Sequence, residues 1–141
     1  MVYTYNPRDI SISWGNKPVT GFAEDTFVNV VAMGDGVVSS TGCDGEIVRN
    51  IDPNDRYTVE ITLQQGSSSN ERFSYVYKKD KTDGAEIHPL VIKDKRGNKL
   101  FSAQAWISKR ADRQYGRTAG DRSWTFETDE VEAAKENTIL R

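Results

Sequence analysis

The stretch from Arg56 to Asp80 constrains the fold more than any other, because it carries two different periodicities back to back. Tyr57, Val59, Ile61 and Leu63 alternate with Thr58, Glu60, Thr62 and Gln64, the two-residue repeat of a strand with one buried and one wet face. Gln65-Gly66 ends the alternation. Ser68-Ser-Asn-Glu71 then has the spacing of a capping box, in which the Ser68 oxygen accepts from a free backbone N–H and Glu71 reaches back. Phe73, Val76 and Tyr77 fall at i, i+3 and i+4 and form a short apolar stripe, which leaves Arg72, Lys78, Lys79 and Asp80 on the wet side. The spacing predicts one helix of two to three turns, ended by Gly84 in a left-handed cap. A helix this short is not stable alone, so it must lie on a sheet built by the rest of the chain.

The flanking segments supply that sheet. Asp9–Trp14 and Pro18–Phe22 enclose Gly15-Asn16-Lys17, a compact hairpin signal, with Ile10, Ile12 and Trp14 on one face. Residues 26–33 are dense in β-branched side chains: Val28, Val30 and Ala32 share one face, Phe27, Asn29 and Val31 the other. Both faces are therefore expected to be at least partly covered, the second by a helix or another subunit. Residues 34–55 are punctuated by Gly34-Asp-Gly36, Gly42-Cys-Asp-Gly45 and Asp52-Pro-Asn-Asp55, with Val37-Val38 and Ile47-Val48 between them. They read as a long protruding hairpin, longer than a connection requires, and so an arm that contacts something. Pro89–Lys93 and Lys99–Ser108 flank the polar turn Asp94–Asn98. Residues 109–123 read as a basic loop. Ser123–Thr128 gives a last strand with Trp124 and Phe126 inward, followed by a polar tail, 129–141, with a weak helical pattern around Val131–Lys135.

With 141 residues, the chain is expected to form one domain, 1–141, with its core at about 5–128 and a single hydrophobic centre. A net charge of −2 argues against gripping nucleic acid by neutralising phosphates. The cluster Lys109, Arg110, Arg113, Arg117 and Arg122 is interrupted by Asp112 and Asp121, so a solvated loop or salt bridges between subunits are the expected roles. The N-terminal residues lack a signal-peptide pattern, and no run approaches the roughly 20 apolar residues of a membrane helix. One cysteine, Cys43, rules out an intrachain disulfide. The single histidine, His88, precedes Pro89 without a partner motif, and Asp35-Gly36 and Asp44-Gly45-Glu46 lack the alternating ligand ladder of a calcium loop. No catalytic residue, metal site or cofactor is therefore expected.

The arm and the central strand and helix, with Gly34-Asp-Gly36, Gly42-Cys-Asp-Gly-Glu46, Arg49, Val59-Glu-Ile-Thr-Leu-Gln64 and Gln65-Gly-Ser-Ser-Ser-Asn70, resemble the tail tube proteins of tailed bacteriophages, most closely those of contractile tails. The opening Tyr5-Asn-Pro-Arg-Asp9 and Gly21-Phe22 ahead of the valine-rich strand extend the likeness over most of 5–128. The resemblance implies a mainly β domain, a β-sandwich or small barrel with one flanking helix. It also implies a structural virion protein of the tail, assembled in the bacterial host cytoplasm and not an enzyme. Its partners would be itself in stacked hexameric rings, the tail sheath protein, and baseplate, initiator and terminator proteins. DNA would pass through the lumen without specific binding, and no membrane would be involved. Strand alternation then makes Asp25, Asn29, Thr58, Glu60 and Thr62 the lumen-facing candidates. Asp35, Val37, Val38, Asp44, Glu46, Ile47 and Arg49 are the candidates for contact between subunits or rings. A second reading stays open on the residues alone: a binding module for a carbohydrate or peptide, with Trp14, Trp106 or Trp124 as an exposed stacking platform.

Overall fold

The computed structural model describes residue 2, residues 4–94, residue 96 and residues 98–134. After a 3-10 turn at Pro7–Asp9 come β1 (Ser11–Trp14), β2 (Lys17–Pro18), β3 (Val28–Ala32), β4 (Val37–Thr41), β5 (Ile47–Ile51) and β6 (Tyr57–Gln64). The helix α1 (Ser68–Asp83) follows, then β7 (His88–Lys93), β8 (Lys99–Lys109) and β9 (Asp121–Ala134). Seven strands form one antiparallel sheet in the order β2-β1-β7-β8-β9-β6-β3, and β4 and β5 pair only with each other.

One short connection sets the shape of that sheet. The Val19 amide still donates to Ile12 O at the β1 end, while Gly21 O already accepts from the Gln64 amide on β6, near the opposite end of the order. Two residues span at most about 7 Å, so the sheet must curl until its ends approach. The result is an open barrel: residues 21–23 run along β6 through the Phe22–Leu63 bridge, and among the described residues no ladder joins β2 to β3. The expected mainly β fold with one flanking helix and a protruding hairpin is present. Its layers are the two sides of one curled sheet.

The core lies inside the curl. Val59, Ile61 and Leu63 of β6 are fully buried, as their alternation requires, and Ile12, Leu90, Ile92, Phe101 and Ile107 join them. Trp14 crosses the interior: its Nε1 donates to Ala105 O at 3.1 Å, and its ring meets Phe126 edge-on at 5.1 Å. Alanines at 103 and 105 leave the room that the indole occupies.

The helix seals the curl with one residue. Phe73 is fully buried and packs edge-to-face on Trp14, Trp124 and Phe126, while Val76 and Tyr77 are half-buried beside it. α1 is longer than its short stripe predicts, 16 residues against two to three turns, and Gly84 ends it in the left-handed conformation as expected. Its cap is Ser67, one residue earlier than the capping-box spacing places it. The reason is tertiary. The Ser67 hydroxyl donates to Thr20 O and accepts from the Ser69 amide, and Ser69 Oγ accepts from the Thr20 amide at 3.2 Å, so the connection after β2 selects the register of the cap. Gly21 is required at this contact: a Cβ there would lie 2.6 Å from Ser67 Cβ, at a φ of +76°. Arg72, expected to be wet, is half-buried, with its guanidinium 5.3 Å from the Phe73 ring centre.

Two further expectations are corrected. The weak helical pattern at Val131–Lys135 is strand as far as Ala134: β9 continues along β8, with Val131 opposite Ala103 and Ala134 opposite Phe101; Lys135 onward lies outside the described residues. The basic loop is corrected only at its ends: residues 112–119 are exposed, as a solvated loop requires, but Ala111 and Arg122, the latter in β9, are both 6% exposed, and the Arg122 guanidinium sits 5.4 Å from the Tyr115 ring centre.

Candidate functional site, a polar sheet face and a projecting arm

The outer face of the curl collects the polar halves of the alternating strands. In antiparallel pairing, directly opposed residues point the same way, so the registers define rows. Lys109, Thr125, Glu60 and Asn29 form one row across β8, β9, β6 and β3, and Trp106, Glu127, Thr58 and Val31 form the next. Thr62 and Ser123 sit beyond them, their hydroxyls 3.2 Å apart. Four of the five lumen candidates, Asn29, Thr58, Glu60 and Thr62, therefore share one surface. Asp25 does not join them: it lies in the loop between Ala23 and β3, where the chain leaves β6 and returns to it.

Charges on this face are mixed. Arg56 lies over the Trp106 ring at 5.6 Å, approaches Glu127 at 4.0 Å and donates from Nε to Thr128 O. Glu60, Lys109, Arg110, Asp112 and Asp121 surround a shallow polar depression of about 340 Å³. Such a surface offers carboxylates and cations in alternation and no concentrated field for a polyanion.

The arm stands off the other end of β3. Every residue of β4 and β5 is exposed, including Val37, Val38, Ile47, Val48 and Ile51, between 47% and 76%. Its root is fastened by Asp52, whose carboxylate accepts from the amides of Asp35 (2.8 Å) and Asn54 (3.0 Å) and is held below its usual pKa by those two backbone hydrogen bonds, Asp35 first. At the tip Asp44 Oδ1 accepts from the Glu46 amide and Gly45 takes positive φ, as Gly36 does at the root. These aspartates do turn chemistry, as expected. Of the arm candidates, Asp35, Val37, Val38, Asp44, Glu46, Ile47 and Arg49 all lie exposed on this one projection, with Cys43 at its tip.

Of the two covers expected for the second face of β3, a helix or another subunit, the helix is not the one. Val30 is 37% and Val31 51% exposed, and β3 ends the strand order, so within this chain its outer edge and much of its surface are open. An open edge of this kind is a pairing template.

Sequence reasoning did not find the Glu86 cluster. Glu86 Oε2 lies 2.7 Å from His88 Nε2 and Oε1 3.2 Å from Lys79 Nζ, and the His88 and Lys79 contacts hold the carboxyl below its ordinary range. His88 stacks edge-on against Trp14, so it is a satisfied histidine joining α1 to β7. The i, i+2 spacing of Glu86 and His88 was the only local signal. The tryptophan platform is contradicted for two of its three members: Trp14 and Trp124 are 2% and 3% exposed, and only Trp106 reaches the outer face, under Arg56.

The fold of this chain, a curled antiparallel sheet with one sealing helix, also occurs in chains of contractile injection systems. The chain is similar in fold to a chain of a sheath/tube terminator of an extracellular contractile injection system in its extended state, with TM-score 0.58, 10% identity and coverage of 92% of this chain and 96% of that one. It is likewise similar to a chain of the sheath-tube complex of such a system, with TM-score 0.56, 11% identity and coverage of 92% and 90%. The sequence profile of the Bacteriophage PhiTE tail tube proteins matches residues 12–135, and the chain belongs to that family. It is also 27% identical over 134 residues to the structural protein ORF10 of Pseudomonas phage KPP10, a match spanning 87% of this chain and 76% of the relative.

Proposed function

We propose that this phage tail tube protein is the repeating subunit of a hollow tail tube, stacked as hexameric rings that form the conduit for DNA ejection from a contractile tail. The observation that carries the reading is the projecting arm with its exposed aliphatic side chains. An isolated two-stranded hairpin is marginal in water, and apolar residues on both of its strands have nothing to cover them unless other copies do. The open edge of β3 adds a second unsatisfied surface, which closure into a ring removes. The polar rows through Asn29, Thr58, Glu60 and Thr62 are then the channel wall, where mixed charge lets a duplex slide without phosphate clamps. In this reading the sheath, a tube terminator and a baseplate initiator are its partners, the subunit performs no catalysis, and it resides in the virion after assembly in the host cytoplasm.

Negative-stain micrographs of the purified subunit over a concentration series test this directly. Stacked rings or tubes with a lumen are expected, and a strict monomer at every concentration refutes it. Deleting Val37–Val48 is expected to leave a folded domain that no longer stacks; tubes of normal length refute the role of the arm.

A further inference from the structure

An arm that needs covering implies a surface that covers it, and an apolar groove of suitable size lies among the described residues. Residues 5–10 and 22–28 enclose about 750 Å³ beneath the β3 end of the sheet. Its floor is Ile10, Phe22, Phe27 and Val28, with the two phenylalanine rings 4.8 Å apart, and its charged lining is the exposed Arg8, Glu24 and Asp25, two carboxylates against one guanidinium. The volume is that of a site for a ligand of several side chains and too large for a single one.

The arm has the complementary face. Its register places Val37 opposite Ile51, Ser39 opposite Arg49 and Thr41 opposite Ile47, so one face presents three aliphatic side chains around a central guanidinium. Val37, Ile51 and Ile47 are 51%, 76% and 68% exposed. Three apolar groups suit the Phe22–Phe27 floor, and Arg49 suits the Glu24–Asp25 side of a lining that keeps an acidic excess of one despite Arg8, where the pairing selects register more than it adds affinity.

The copy that bears the arm cannot fill its own groove. The groove adjoins Val28, the first residue of β3, and the arm departs after Ala32, the last, about 14 Å away along the strand. No arm residue lines the groove, and the whole arm is exposed. We infer that the arm of one copy seats its Val37–Arg49–Ile51 face in the 5–28 groove of the next, with Arg49 between Glu24 and Asp25. The contact is head-to-tail, so it repeats without limit or closes on itself. One hairpin face covers only about 17 by 10 Å, well short of the roughly 800 Å² per partner of a stable binary complex. A pair of copies is therefore weak, and assembly gains from many simultaneous contacts.

This inference rests on the tube-subunit reading, and the native cysteine separates the two. Cys43, the single cysteine, is exposed at the arm tip. Subunit labelled there with a maleimide-benzophenone is mixed with a tenfold excess of unlabelled, isotopically marked subunit, assembled and irradiated, and the cross-linked peptides are mapped by mass spectrometry. Intermolecular cross-links within residues 5–28 are expected. Tubes whose cross-links fall elsewhere, on the β3 edge or the 109–120 loop, overturn the docking site and leave the tube reading intact; failure to assemble at all overturns both. In the second arm of the experiment, Arg49→Glu is expected to raise the concentration needed for assembly at least tenfold, and adding Asp25→Arg to restore it. A double variant no better than the single one refutes the charge pairing.

Discussion

Replacing Phe73 by alanine tests how the helix is attached. Only Ser69 and Phe73 of the 16 helical residues are buried, so Phe73 is the main apolar anchor of α1, with Val76 and Tyr77 half-buried beside it. That ring touches Trp14, Trp124 and Phe126 with centroids at 5.6, 5.6 and 5.3 Å, all near perpendicular. A buried Phe→Ala change costs about 3–5 kcal/mol from lost transfer energy and the cavity, and edge-to-face pairs add about 0.5–1.5 kcal/mol each, less than additively. The expected loss is therefore at the upper end, about 4–5 kcal/mol. An unfolding entropy of about 2.1 cal/mol/K per residue over 141 residues makes this a fall in Tm of about 13–17 °C. Denaturant unfolding of the unassembled subunit, followed by far-ultraviolet circular dichroism, measures it. Tyr75→Ala is the control on the same helix; Tyr75 is 69% exposed and its loss should change stability by less than about 0.5 kcal/mol. A Phe73→Ala loss below about 2 kcal/mol would show that α1 is held by something other than this aromatic hub.

Ser67→Ala should cost about 1 kcal/mol through the lost cap, whereas Ser68→Ala, one residue on, should change the midpoint of unfolding by only a few tenths of that; equal effects would contradict the cap assignment. Thr128 Oγ1 accepts from the Tyr57 amide and donates to Tyr57 O inside a fully buried site, so the near-isosteric Thr128→Val should destabilise by about 1–3 kcal/mol, visible in the same assay. Gly21→Ala forces Cβ onto Ser67 at positive φ; refolding yield should fall with loss of helix signal, and an unchanged Tm would refute the close approach. The depressed Glu86 pKa has a defined sign: its contribution is present above the ordinary carboxylate range and is lost as pH falls through the lowered value. Glu86→Gln should flatten the acid limb of the stability profile, and an identical slope in both proteins would exclude the Lys79–Glu86–His88 cluster from acid stability.

The local periodicities of this sequence determined much of its skeleton. Alternation in residues 57–64 placed Val59, Ile61 and Leu63 inside, Gly15-Asn16 turned the first hairpin with both residues at positive φ, and Gly84 stopped the helix. The exposed arm was legible because its glycines and aspartates leave no periodic core face. Each of these depends on residues a few positions apart, where parity and turn chemistry decide the conformation. Tertiary structure alone decided which side chains meet. Ser67 became the cap because Thr20 arrives beside it. Asn70 ties the helix start to Gln64 O and Gln65 O, and accepts from Trp124 Nε1 at 2.9 Å, which removes Trp124 from any stacking platform. The polar Asp129–Ala134 segment became strand because β8 offered it a backbone partner, a pairing that overrides weak intrinsic preference. Which edge stays open, and which groove lies at the end of β3 away from the arm, follow from the curl of the sheet; that curl comes from closing one two-residue connection between distant strands, a constraint that no window of sequence contains.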